Sequence, residues 1–558
     1  MITFLTFLRM KWSWPDVTWQ SQYWIVSDVN NLMAGNFSKV VWFEFANREW
    51  SLNGWRWLTY INAMFFSWNT AYELLLYAFT IFGIFLLIFK SVTEKFSEWR
   101  WRQVILILVT LITLFSFAGA GARGMELGTY IGIFFTVLLF KVSLSDSSNK
   151  IVSALLPPAI IFIFSGGYAL STTITLILVS TIVQLYFKGF DHFPNLKIST
   201  FSSLVSLGLY IIVFLSHKQQ GPSTLKIFYD YLQMNPFYPI KFLFYSSQGG
   251  LITIQNVEGL TSREFSLVTF LLSAFLLLLN FFCLLYSFKY LRKTMLIPLS
   301  LLFYSIGTSL TIMVTRPTGD FGMLSPWYSL HLKLGIVGCL WLLFIFVSTP
   351  DLNFSRLNWT VNITVFLLIP VLLFANFSQW KRQPYERAYF QEIKKVTLFP
   401  ETMAGDSNGL TPLKIGLSDS QFAIAVLKRH KIGVYRDAGA ARAEFMGENA
   451  FLRLGENFSD GWVGRSPRYL FQKGVCKLIQ FELLNLPKIR NNEATVKVDG
   501  KQIKVFQVTE TPYILRVPDA GQVTSVEFSF SKSLIPAKNQ LGEDLRDLSA
   551  NIQVRCEK

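Results

Sequence analysis

Histidine is scarce in this chain, with four copies among 558 residues, and charged side chains make up only 15% of it. So few imidazoles leave little room for histidine-based catalysis or a histidine metal centre. The chain has no Walker sequence, dinucleotide glycine fingerprint or G-x-S-x-G elbow, and no Cys or His pair stands at zinc spacing. Their absence removes the common soluble nucleotide- and zinc-dependent enzymes. Nor is there an internal repeat or a low-complexity tract. Of four cysteines, Cys283 and Cys339 lie in apolar runs, while Cys476 and Cys556 lie in a polar C-terminal region. The second pair forms a disulfide if that region faces an oxidising compartment; otherwise it is two separate thiols, and spacing alone does not decide.

Apolar residues, by contrast, make up 52% of the chain and aromatics 16%, with a mean hydropathy of +0.39. That much apolar surface needs lipid to cover it, which predicts an integral membrane protein. Apolar runs fall at approximately 72–89, 103–121, 124–140, 151–169, 171–187, 198–215, 265–288, 294–314, 328–348 and 359–376. Each is about long enough to cross hydrocarbon as a helix. Pro157 and Pro158 sit inside one of them and predict a kink. The opening "MITFLTFLRMKW" has about seven apolar residues before Arg9, too few to span, and no small-residue cleavage site follows. A first helix is therefore expected upstream of Met1.

The formal charge is +16, but the basic residues are spread among loops rather than gathered in one stripe. Anionic lipid or an anionic substrate fits this better than nucleic acid, which is not expected as a partner. Alternate connections carry the short basic clusters: Lys90 to Arg102, Lys141 and Lys150, Lys188 and Lys197, Lys289 to Lys293, and Arg356. The positive-inside rule assigns these to the cytoplasm. Segment 1–71, the turn near Arg123, loops 216–264 and 315–330, and everything after about 377 then face outward.

After Phe377 the character changes. "WKRQPYERAYFQEIKKVTLFP" predicts a helix, and Ser418 in "SDSQFAIAVLKRHKIGVY" is placed to cap another. From about Glu456, alternating runs such as "ATVKVDGKQIKVFQV" predict strands, with a hairpin turn at Asp499-Gly500. The fold class expected is a polytopic α-helical membrane protein of about ten spans, followed by an extracytoplasmic α/β region ending in a β-sandwich. Its divisions are 1–71, a first outer loop with interfacial helices; 72–376, the transmembrane domain; and 377–558, the C-terminal domain.

The outward segments hold the candidate chemistry. Segment 1–71 carries Asp16, Asp28, Glu44 and Glu49 with Arg48 and Arg56, among nine tryptophans. Inverting glycosyl transfer at a membrane surface needs such groups: a carboxylate deprotonates the acceptor hydroxyl, and cations hold the phosphate leaving group. Aromatic rings suit sugar faces, but they equally suit an interfacial belt.

"GNFSKVVWFEFANREWSLNGWRWLTYINAMFFSWN", "GPSTLKIFYDYLQMNPFYP" and "TRPTGDFGMLSPWYSLHLKLG" together resemble the GT-C superfamily. More narrowly, they resemble bacterial and phage glucosyltransferases that modify O-antigen from a polyprenyl-phosphate sugar. The likeness covers roughly 20–350. It implies Asp28 as base or ligand to a divalent metal (Mg or Mn) and Glu49 as second carboxylate. Arg48, Arg316 and Tyr328 are implied at the donor phosphate; Arg123, which follows "FAGAGA" at an outer helix end, is a further phosphate candidate, with a lipid headgroup as its other partner. The chain departs from the pattern at Asn47-Arg48-Glu49-Trp50, which lacks a His, and at Trp327, which replaces an Arg. "ENFSDGWVGRSPRYLFQKG" and "SFSKSLIPAKNQLGEDLRDLSANIQV" resemble the opening and closing of β-sandwich modules appended to bacterial glycosyltransferases. There Gly461, Trp462, Arg468, Tyr469, Pro536, Asp544, Arg546 and Leu548 match. An Asp544–Arg546 pair would fix a loop, and Trp462, Arg468, Asp544 and Arg546 are the acceptor-contact candidates.

The resemblance thus implies a glucosyltransferase of the bacterial inner membrane with its C-terminal domain in the periplasm. Its partners would be membrane lipid, a polyprenyl-phosphate sugar, the lipopolysaccharide O-antigen acceptor, a companion flippase and a donor-synthesising glycosyltransferase. An O-antigen polymerase is the alternative enzyme. A lipid-linked sugar flippase or transporter is the alternative of another class, although the spans are nearly free of charge.

Overall fold

The structure is a computed structural model. It describes residues 2–13, 25–42, 54–93, 101–115, 125–145, 151–216, 224–251, 262–315, 328–348, 355–399, 417–440, 451–454, 457, 460–471, 473–518, 520–539, 541 and 546–557. The chain divides into two compact units. One comprises Met1–Met10, Phe37–Asn62 and Ala71–Lys381; the other comprises Lys11–Asn36, Ala63–Thr70 and Arg382–Lys558.

The first unit is helical. Leucine, isoleucine and phenylalanine dominate its segments, and a helix satisfies its backbone polar groups internally, as a lipid-covered segment must. Among the described residues, six helices are long and apolar enough to cross a membrane: Thr70–Ser91, Tyr168–Phe187, Pro194–Ile212, Leu267–Lys289, Lys293–Thr315 and Ser329–Val347. Four shorter apolar helices lie at Val104–Phe115, Leu127–Ser143, Ala154–Ser165 and Phe366–Phe377, on the remaining apolar runs. Pro157 and Pro158 lie within helix Ile151–Ser165. The helix ends just beyond them, where Gly166 takes φ 48°, before helix Tyr168–Phe187 begins.

Burial sorts these helices. The apolar window of Ser329–Val347 is 94% buried, whereas that of Pro194–Ile212 is only 28% buried. The former is the central helix, and the latter shows Leu, Ile and Phe side chains outward, where lipid would cover them. Close approach of Ser329–Ser348 to Leu296–Thr315 depends on Gly338, where a Cβ would come within 2.6 Å of the Pro298 carbonyl oxygen. Small residues at such a crossing let the backbones meet. On another side, Trp341 Nε1 donates to Thr110 Oγ1 at 3.0 Å, tying in helix Trp101–Phe115.

One helix departs from the sequence expectation. Ser355–Leu398 is continuous for 44 residues, where a span ending at 376 and a separate polar helix were expected. Neither Pro370 nor Pro384 ends it.

The second unit joins early and late parts of the chain. Helix Val26–Met33 buries Val26, Val29 and Leu32, three apolar positions at helical spacing, and packs on helix Leu417–His430. Ser418 is the second residue of that later helix rather than its cap. Beyond it lies a sandwich with, among the described residues, nine antiparallel strands: β1 (Phe451–Leu454), β2 (Trp462–Val463), β3 (Arg468–Phe471), β4 (Leu478–Asn485), β5 (Asn492–Val498), β6 (Lys501–Val508), β7 (Tyr513–Val517), β8 (Ser525–Phe530) and β9 (Ala550–Glu557). One sheet runs β1-β3-β8-β5-β6 and the other β2-β9-β4-β7.

Burial alternates strictly along β4, as expected where one face meets the core and the other water. The shared core centres on Tyr469, Phe481 and Phe528, with Phe481 edge-on to both others at 5.0 Å between ring centroids. Asp499 (φ 47°) and Gly500 (φ 80°) form the predicted hairpin turn between β5 and β6. Cys476 and Cys556 form a disulfide, their Cα atoms 5.3 Å apart, which fastens the lead-in to β4 onto the end of β9.

Candidate functional site

Asp28 lies in the first turn of helix Val26–Met33, where a carboxylate complements the helix dipole, and only 8% of it is exposed. Its helix is held from the C-terminal side of the chain. His430 Nε2 donates to Asn30 Oδ1 at 3.0 Å, and the Gly433 N–H donates to Ser67 O at 2.9 Å. Burial, then the neighbouring Arg429 charge, keeps His430 below the usual imidazole pKa. Ser67 and Trp68 occupy successive left-handed conformations, φ 50° and 55°, and Trp68 is fully buried. Two non-glycine residues in that region carry backbone strain, and such strain is sustained where packing enforces it.

In the first unit, the polar groups gather toward one end of the central helix. The Tyr304 hydroxyl lies 2.7 Å from His331 Nδ1, and both side chains are buried. Tyr168 stacks on the His331 ring at 4.1 Å, and Tyr328 meets Tyr168 edge-on at 6.3 Å. The sequence-predicted Tyr328 thus packs against an apolar cluster that includes Tyr238, Phe242 and Leu332. Lys333, two residues past His331, is 1% exposed, and Gly250 packs against its backbone. Around them, Ser171 and Thr311 are hydrogen-bonded at 2.9 Å, and Thr136 and Thr172 at 3.2 Å. A further buried carboxylate, Glu73, accepts from Asn62 Nδ2 at 2.9 Å, and Arg56 is buried in the same unit.

His331, Lys333 and Glu73 escaped notice in the sequence, although each is an ionisable residue inside an apolar run. That signal alone marks a functional candidate in a membrane protein.

The acceptor-contact candidates make internal contacts in the sandwich. Trp462 packs on Leu486, Ile489 and Leu548. Arg468 pairs with Glu527, its direct neighbour across β3 and β8, at 2.7 Å. Arg546 grips Asp460 with two nitrogens, at 3.0 and 2.6 Å. The Asp460 carboxyl is raised by burial, but the Arg546 hydrogen bonds and charge and the Trp462 N–H outweigh this and leave its pKa below the ordinary value. Glu49, Arg48, Arg123, Arg316, Asp544 and Asp16 lie outside the described residues. Among the described residues, no three His, Cys, Asp or Glu side chains gather as a metal site, and we derive no step through a metal. Compared with family models, curated proteins and solved structures, the chain matches none.

Proposed function

We propose that the chain is a polytopic glycosyltransferase that moves a sugar from a polyprenyl-phosphate carrier to a glycan outside the bacterial inner membrane, O-antigen being the favoured acceptor. The observation that carries this reading is the setting of Asp28, a carboxylate withdrawn from solvent on a short amphipathic helix that the C-terminal region holds in place. In the proposed step, Asp28 takes the proton from an acceptor hydroxyl as its oxygen attacks the anomeric carbon. The bond from that carbon to the phosphate oxygen breaks with inversion, and the phosphate leaves with the electron pair, stabilised by cations. Support for an extracytoplasmic C-terminal domain comes from the Cys476–Cys556 disulfide, since such bonds persist mainly in oxidising compartments.

Translocation of a lipid-linked sugar is the alternative, favoured by one observation: Lys333, His331 and Glu73 are buried in apolar helices, as transport sites require.

Surface polysaccharide from cells with and without the protein separates these. A new side-branch sugar, lost in Asp28→Asn with protein level and melting temperature unchanged, supports transfer. A shifted chain-length distribution supports a polymerase, and an unaltered glycan sinks both. Full transfer by Asp28→Asn removes Asp28 from the site.

A further inference from the structure

We infer that residues 224–251 form a re-entrant membrane segment rather than an aqueous loop, and that its Met234, Phe237 and Ile240 side chains seat among the lipids of one leaflet. This is a statement about topology, independent of the sugar transfer proposed above. Helices Thr224–Met234 and Tyr238–Ser246 join through a tight turn, where the Tyr238 N–H donates to Asn235 O at 2.9 Å. The second helix has nine residues. At 1.5 Å per residue it is about 14 Å long, less than half of a hydrocarbon core of about 30 Å. An apolar helix so short can enter a membrane but not cross it.

Three sets of contacts fix its depth. Tyr238 and Phe242 are buried against Ile312 and Met313, close to the end of helix Leu296–Thr315, and against Leu332, close to the start of helix Ser329–Ser348. Farther along, the Phe244 ring lies 5.3 Å from that of Phe270, and Ser247 Oγ donates to the Ser273 carbonyl at 3.2 Å. Ser273 is about 9 Å along the membrane-crossing stretch that begins at Leu267. Farthest along, a Cβ on Gly250 would come within 3.0 Å of Ile336 Cδ1 and of the Lys333 backbone nitrogen. Ile336 is about 10 Å inside the span that begins at Ser329. The chain therefore descends from Tyr238 to Gly250 beside two spans. Backbone outside a regular helix is tolerated at such depth only where protein buries it, and Gln248, Gly249, Gly250 and Leu251 are all buried.

The opposite face of the segment is apolar and open, with Met234 73%, Phe237 66% and Ile240 68% exposed. Lipid is what covers it, because the face continues onto the exposed Leu267, Phe270 and Leu271 of the span that Phe244 touches. In water the same side chains would make an unprotected apolar patch. Lys241, exposed beside Ile240, has a stem long enough to carry its ammonium to the headgroups.

The test uses the purified full chain in phosphatidylcholine nanodiscs, carrying Met234→Cys, Phe237→Cys, Ile240→Cys or Phe244→Cys. Leu271→Cys serves as the lipid-facing reference and Lys501→Cys, exposed on the sandwich, as the aqueous one. Wild type treated in parallel corrects for the free thiols of Cys283 and Cys339. Ile240→Cys should react with a membrane-impermeant maleimide about tenfold or more slowly than Lys501→Cys, because an apolar setting suppresses the attacking thiolate. Nitroxide labels at positions 234, 237 and 240 should collide with oxygen in preference to a nickel chelate, as at Leu271→Cys. That preference should rise from 237 through 240 to 244 as the helix descends.

Maleimide rates at 237 and 240 equal to that of Lys501→Cys overturn the inference and show an aqueous loop. Labels closed to both oxygen and nickel overturn it by showing a protein cover in place of lipid. A preference that stays level from 237 to 244 also overturns it, since the helix then lies flat at the surface. Phe237→Cys and Ile240→Cys replace exposed side chains, and their maleimide rates decide between lipid and water should Phe244→Cys fail to fold.

Discussion

His430 reaches back 400 residues to donate to Asn30, two positions beyond Asp28 on the same helix. Helix Val26–Met33 has only eight residues, too short to hold its conformation alone. Its orientation therefore depends on helix Leu417–His430. Replacing His430 by Ala should cost about 1 kcal/mol of that docking. Amide hydrogen exchange across 26–33 should speed up accordingly, and the proposed sugar transfer should fall in kcat. His430→Gln, which keeps a donor, should recover both. Unchanged exchange in His430→Ala would mean that apolar packing alone orients the helix.

The Cys476–Cys556 disulfide closes a separation of 80 residues. A loop of that length is worth about 4.5 kcal/mol of sandwich stability on a chain-entropy estimate. The double serine variant should therefore unfold in the sandwich at markedly lower temperature, read by differential scanning calorimetry on the full chain. A melting temperature equal to wild type would show that the bond contributes nothing measurable.

Asp460 and Asp499 both have carboxyl pKa values below the ordinary value in the folded state. For Asp499, burial raises the value, but the Thr524 hydroxyl and the Thr524 and Ser525 N–H groups outweigh it. A depressed folded pKa adds stability that is complete above the unfolded value, about 3.9, and is lost as pH falls through the folded one. The sandwich should lose urea resistance below about pH 4. Asp460→Asn and Asp499→Asn should each flatten that loss. A wild-type profile in both variants would assign the acid limb to other groups.

Gly338 sits where the central helix meets the Pro298 carbonyl. Gly338→Val should force these helices apart at a cost of about 1–3 kcal/mol. Lower thermal stability in detergent should follow, whereas Gly439→Ala, at a position with open space, should melt like wild type.

Much of the architecture was legible as periodicity. Apolar runs became helices, the strict alternation of "LIQFELLN" became β4, and Asp499-Gly500 turned the chain because both residues accept positive φ. The central helix was legible as an apolar run, but not as central. A lysine near the end of such a run normally reaches water along its stem, and only burial from every side shows that Lys333 does not. Arg546 illustrates a second limit: it grips Asp460, 86 residues earlier, brought beside it by the pairing of β2 with β9. Such pairing is set by tertiary topology, which local spacing does not encode.

The second unit is assembled from three separated stretches, 11–36, 63–70 and 382–558. A ribosome makes the first of them more than three hundred residues before the last. Helix Val26–Met33 consequently waits through synthesis of every apolar helix for the surface it docks on. An interrupted chain carries Asp28 but not its support, so, on the proposed function, a premature product that reaches the membrane should be inert rather than a poorly controlled catalyst.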